Sequence, residues 1–231
     1  MIDFIDTIAA ASAGAVLLVL ICTTPEKRGL KLAVASVLGA WIGLAVAVAA
    51  SGKLADVAIL GTLVTLPLVV TAALALASSA VRSALLGIPV PLVIGVNVFR
   101  LIGVMFLILA SVGRLGGPFP FSAGWGDIIT GALAIPVAIL AARVPASDPR
   151  IIAWNVLGTL DLVVALFLGI VSANGSPLQL IHGGVGTAAM QTLPWSLTPT
   201  VLVPLFLVGH GIVFAHARAA RATRGSQSRV Y

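Results

Sequence analysis

Apolar runs of membrane-crossing length alternate along the whole chain with short breaks rich in Gly, Pro and charge. A helix needs roughly 17–25 apolar residues to cross the hydrocarbon of a bilayer. On that criterion spans are expected at 6–24, 32–51, 57–77, 90–112, 127–142, 151–172 and 198–217. The breaks carry turn chemistry: Thr24-Pro25-Glu26-Lys27-Arg28, Ser51-Gly52-Lys53, Ser78 to Ser83, Gly113 to Gly126, Arg143 to Arg150, and Asn174-Gly175-Ser176-Pro177. The stretch 78–89 reads as a short interfacial helix. Pro67, Pro136 and Pro204 fall within spans, where each removes a backbone donor and is expected to bend its helix.

Composition leaves little alternative to lipid as the solvent. Of 231 residues, 60% are hydrophobic and 9% charged, with a mean hydropathy of +1.18; a soluble domain carries about a quarter charged residues. The net charge of +6 does not point to nucleic acid, because in such a chain basic residues mark cytoplasmic loops. Lys27, Arg28, Lys31, Arg82, Arg143, Arg150, Arg218, Arg221, Arg224 and Arg229 fall on one side of the seven-span arrangement. Only Lys53 and Arg114 fall on the other, which makes the first side cytoplasmic. The expected fold is thus all-α: a seven-transmembrane helix bundle, N-terminus outside and C-terminus cytoplasmic. Residues 1–217 form a single transmembrane domain and 218–231 a basic cytoplasmic tail. Asp3 and Asp6 ahead of the first apolar run argue against a cleaved signal peptide. Cys22 is the sole cysteine, which excludes intrachain disulfides and cysteine metal clusters.

Charges inside a span cost several kcal/mol (about 2.5–3.5 on insertion scales) unless paired or hydrated. Arg100 and Asp161 both fall near mid-span, in helices that run the same way, so their depths match and they are expected to pair. Asn97, one turn before Arg100, and His210 in the last span lie at a similar level. Asn155, six residues before Asp161, points to a different side of its helix. Asp127 directly precedes the fifth apolar run and reads as a helix N-cap near the outer face, with Trp125 an interfacial anchor. On that reading Asp127 and Asp161 lie at different depths and form no carboxylate pair. The Gly113–Gly126 stretch would fold back over the outer mouth of the bundle. The candidate ligand-binding or ion-pair residues are Arg100, Asp161, Asn97, His210, Asn155 and Asp127.

Several chemistries lack their residues. His182, His210 and His216 have neither the spacing of a haem pair nor that of a zinc site, and no metal or cofactor is expected. No P-loop, HExxH or GxSxG motif occurs, and the last span has no lysine for a retinal Schiff base. A catalytic role is disfavoured. Ala35, Gly39, Gly43, Ala47 and Ser51 form a small-residue stripe at four-residue spacing, suited to close packing within the chain or against a second copy.

Arg100-Leu-Ile-Gly103, Phe106-Leu107, Gly124-Trp-Gly-Asp127 and Trp154-Asn155-x-x-Gly158-x-x-Asp161 together resemble a pattern in uncharacterised bacterial multi-pass membrane proteins, over about residues 95–170. The resemblance implies a location in the bacterial inner membrane and no activity. The expected function is binding or transport of a small solute, proton-coupled through Asp161 with His210 as a proton partner, and with Arg100 holding an anionic group or acting as counter-ion. The alternative is a non-catalytic subunit or assembly factor of a bacterial membrane complex. Expected partners are the lipid bilayer, a small polar or anionic solute, and a membrane protein or second copy of the chain.

Overall fold

The structure is a computed structural model that describes residues 28–227, with side chains from 35 to 222. The expected span 6–24 and Cys22 lie outside the described residues. Every regular element among the described residues is helical. In chain order these are α1 (Arg28–Ala50), α2 (Val57–Ala77), α3 (Ser79–Leu86), α4 (Val90–Ser111), α5 (Phe119–Ala141), α6 (Pro149–Val171) and α7 (Val203–Gln227), the last entered through a π-helical turn at Thr198–Leu202, with short 3-10 turns at Lys53–Ala55 and Ala188–Gln191. Among the described residues, five helices are long and apolar enough to cross a membrane: α2, α4, α5, α6 and the π turn with α7 to Ala222. At eight residues, or about 12 Å, α3 is too short to do so.

Local chemistry sets most boundaries. Asp56 caps α2 by accepting from the Ala58 amide at 2.8 Å, and Ser78 caps α3 through the Val81 amide. Arg82 turns back to donate to the Ala75 and Leu76 carbonyls at the end of α2. Asp148 accepts from the Arg150 amide at the start of α6, with Pro149 in the first turn, where it costs no hydrogen bond. α7 continues to Gln227, so Arg218 and Arg221 extend the last helix, and the expected boundary at 217 is no break in the secondary structure.

The large shift concerns α5. It begins at Phe119, eight residues before the expected start, so the Gly113–Gly126 stretch contributes only a short connection. Gly124 and Gly126 were read as punctuation, but in a membrane helix glycine lets a neighbouring backbone approach. A Cβ on Gly124 would stand 3.0 Å from the Gly103 carbonyl oxygen of α4, and one on Gly131 would stand 2.9 Å from the Leu101 amide nitrogen. α4 and α5 therefore touch backbone to backbone.

Pro204 illustrates how a lipid-embedded chain keeps its polar groups satisfied. It has no N–H to give the Thr200 carbonyl four residues earlier. The helix opens into the π turn there, and the Trp41 indole of α1 donates to Thr200 O at 2.9 Å. The segment between α6 and α7 folds over the end of the bundle. Trp195, fully buried, packs with Phe106, Phe119, Ala189 and Met190, and Gly116 N donates to Gly186 O. Gly186 takes φ +57°, and a Cβ there would meet the Ser172 carbonyl at 2.5 Å, so this position admits only glycine.

Leu157, Leu160, Val163, Val164 and Phe167 on the outer face of α6 are all exposed, as is expected of side chains that meet lipid tails. In contrast, Arg100, Asn155, Thr130 and His210 are 0–1% exposed in the interior. The bundle is polar inside and apolar outside at mid-height.

Candidate functional site

The middle of α4 is wound as a 3-10 helix over Val96–Gly103. Three residues per turn place Asn97, Arg100 and Gly103 on one line, facing α5 and α6. Asn97 donates to its own helix at Val93 O (3.0 Å), while its side-chain oxygen is buried with no partner among the described residues. A Cβ on Gly103 would lie 2.9 Å from Gly124 O, so Gly103 lets the α5 backbone close on the strip that carries Arg100.

The Arg100 side chain is fully buried, and its guanidinium is used on every side. Nε donates to Asp127 Oδ1 at 2.7 Å, and Nη2 donates to Asp161 Oδ2. Nη1 donates to the Gly158 carbonyl at 3.2 Å and faces His210 Nε2 at 3.3 Å. The Phe206 ring covers the planar face, its centroid 5.9 Å from Cζ. Such enclosure spends the fork geometry of arginine wholly on protein groups.

The second layer fixes His210. Its Nε2 faces a donor and so accepts, which leaves the proton on Nδ1, pointing to Asn155 Oδ1 at 2.8 Å. Asn155 Nδ2 returns a hydrogen bond to the His210 carbonyl at 3.1 Å. Trp154 lies 5.3 Å from the imidazole, ring to ring, and its indole donates to Thr130 O on α5. Asn155 and Asp161 do leave α6 on different sides, but both reach Arg100, one directly and one through His210.

Asp127 is where the structure corrects the sequence reading. It is no N-cap: it sits two turns inside α5, is 8% exposed, and shares one guanidinium with Asp161. The two carboxylates meet at one level. The early start of α5 is the reason, since it moves Asp127 inward by about 12 Å at 1.5 Å per residue.

The sequence reading also assigned no role to two glycines that make room for the cluster. A Cβ on Gly126 would overlap the Asp161 carboxylate, and one on Gly158 would stand 2.6 Å from His210 Cε1. Their signal was present: small residues next to Asp127 and one turn before Asp161, within otherwise bulky apolar runs. Phe206 carried no signal of its own.

A cavity of about 150 Å³ lies between α2, α5, α6 and the start of α7, in the half of the bundle beneath the 172–197 segment. Thr187, Gln191 and Thr198 line it at that end, and Asp127, Leu162 and Val203 at its inner end. His182 and His216 take no part in the cluster, and no group of three metal-ligating side chains occurs among the described residues.

Fold and cluster together define a polytopic α-helical membrane protein with an arginine and two aspartates buried in its core. The chain belongs to a family known by its domain of unknown function, DUF8737, whose model matches residues 55–218. The matched stretch contains all five long apolar helices, up to Arg218 of the last, and every residue of the cluster. No curated protein and no solved structure matches the chain.

Proposed function

We propose that this protein binds a small solute at the Arg100–Asp127–Asp161 cluster and carries it across the bacterial inner membrane with proton coupling. The observation behind this reading is a charge count. One guanidinium faces two carboxylates, and His210 contributes no further charge, since its Nε2 accepts from Arg100. One negative charge is left over in a medium where an unmatched charge is costly, so a proton or a cation must balance it. A purely structural pair needs no second carboxylate. The enclosed guanidinium favours the counter-ion role for Arg100 over anion binding, and His210 holds Arg100 instead of relaying the proton. In the seven-span arrangement the end with Arg82, Arg143, Arg150, Arg218 and Arg221 is cytoplasmic, and the cavity lies toward the other end.

The test is proton movement in proteoliposomes that enclose a pH-sensitive dye, with a panel of small cationic, neutral and anionic solutes added outside. Wild type should show proton flux that depends on one class of solute. Asp161→Asn should lose it while keeping the wild-type elution profile and melting temperature. Absence of any solute-dependent flux in wild type, or unchanged flux in Asp161→Asn, overturns the proposal.

One observation favours a second reading, a subunit of a membrane complex. On α1, no atom of the described residues lies within 4 Å of a Cβ built on Gly39 or Gly43, so none of the described helices packs on the small-residue stripe, and a helix of a partner would fit there. A stoichiometric partner that co-purifies in mild detergent with wild type, and is lost with Gly39→Leu, would support it.

A further inference from the structure

The cavity and the cluster meet at one atom group. Asp127 lines the inner end of the cavity, is 8% exposed, and uses only Oδ1 toward Arg100; Oδ2 accepts from no described residue. The lining around it is mostly hydrocarbon, with Val64, Phe106, Leu162, Ile170, Met190 and Val203, and the Thr65 hydroxyl among them donates to its own helix at Gly61 O. Among the described residues no basic side chain lines the cavity, and Arg100 is shut behind the carboxylates with its side chain 0% exposed. The chamber is thus mostly apolar along its walls, with Asp127 the single carboxylate among its described lining residues. That oxygen belongs to a cluster with one negative charge in excess.

We infer that the cavity binds a small amphipathic cation, an ammonium group on a compact hydrocarbon body, with the ammonium donating to Asp127 Oδ2. Each part of that description follows from a wall. An anion would meet Asp127 and find no accessible donor of positive charge. A strongly hydrated small ion would lose its water to Val64, Leu162 and Val203, which return no hydrogen bond. A neutral apolar molecule would fill the walls and leave the excess charge unmatched. An ammonium answers the charge, and its hydrocarbon body answers the walls. The volume sets the size: a cavity of about 150 Å³ accepts a body of roughly benzene dimensions. Thr187, Gln191 and Thr198 add the polar groups of the lining at the other end, the Thr187 hydroxyl donating to Gly169 O. The inference rests on the solute-binding reading of the cluster and names the substrate class.

Equilibrium binding of hexylammonium, hexanol and hexanoate to the purified full chain in nanodiscs, by calorimetry, tests it, with empty nanodiscs subtracted. Wild type should bind hexylammonium with saturation, hexanol more weakly, and hexanoate not at all. Asp127→Asn should weaken hexylammonium about 10- to 100-fold, the worth of one charge-assisted hydrogen bond, and leave hexanol unchanged. Ala165→Phe, which fills the cavity wall without touching the cluster, should abolish binding of both, and it serves as the variant of record if Asp127→Asn does not fold. Equal affinity for hexylammonium and hexanol in wild type, tighter binding of hexanoate, or full hexylammonium binding by Ala165→Phe overturns the inference. Saturable amine binding without proton flux in proteoliposomes would leave this site standing and remove the transport proposal. Flux driven by a solute that is not an amine, with no amine binding, would do the reverse.

Discussion

Two regions of this molecule use glycine in opposite ways. In α4, α5 and α6, a Cβ on Gly103, Gly124, Gly126, Gly131 or Gly158 would strike a backbone atom or a side chain of the cluster. In α1, Gly39 and Gly43 follow the sequence signature most often associated with helix packing, and among the described residues nothing lies within 4 Å of a Cβ on either. α1 is held elsewhere, by Trp41 on Thr200 O and by Ala49 beside Leu54 and Leu63. The family match begins at residue 55, after α1. The lesson is that in a membrane helix the spacing of small residues shows where approach is permitted, and only a neighbour turns permission into a constraint.

Disrupting the cluster itself should separate the two regions most widely. Arg100→Leu leaves two carboxylates in the core without their counter-charge and should cost about 3–5 kcal/mol, seen as a large drop in melting temperature in detergent. Leucine at 100, 127 and 161 together removes all three charges and should recover most of that loss. A single Arg100→Leu variant that melts like wild type would mean that the cluster carries no such weight.

Smaller changes grade the comparison. Gly126→Ala drives a methyl group into the Asp161 carboxylate and should cost about 1–3 kcal/mol by the same measurement. Asn155→Ala strips the partners from His210 Nδ1 and the His210 carbonyl and should also cost about 1–3 kcal/mol, with loss of the solute-linked flux. Trp41→Phe removes one hydrogen bond at the proline-opened turn, worth about 0.5–1.5 kcal/mol, and tests how firmly α1 is tied. Gly43→Ala should change stability by less than about 0.5 kcal/mol. If Gly43→Ala proved as damaging as Gly126→Ala, the contrast between the regions would disappear and a partner on α1 would be needed to explain it.

Much of the fold could be read from hydropathy alone because every span must satisfy its own backbone in lipid, which makes length and apolarity sufficient. The expected span 57–77 coincides with α2, and 90–112, 151–172 and 198–217 fall within a few residues of helices long enough to cross. The start of α5 was not legible in this way. Phe-Pro-Phe and Gly-Trp-Gly are turn signals in water, whereas here Pro120 lies in the first turn of a helix, Gly124 faces the α4 backbone and Gly126 faces the Asp161 carboxylate.

The sequence by itself determined that the chain is built of apolar helices long enough to cross a bilayer and that Arg100 and Asp161 can meet, since each follows from local composition and a fixed rise per residue. Only the tertiary structure decided that Asp127 joins them, that His210 accepts instead of donating, and that Gly126 and Gly158 must stay bare. Those facts depend on the rotation and spacing of one helix against another, which a linear pattern of apolar residues leaves free because lipid accepts any of their faces equally.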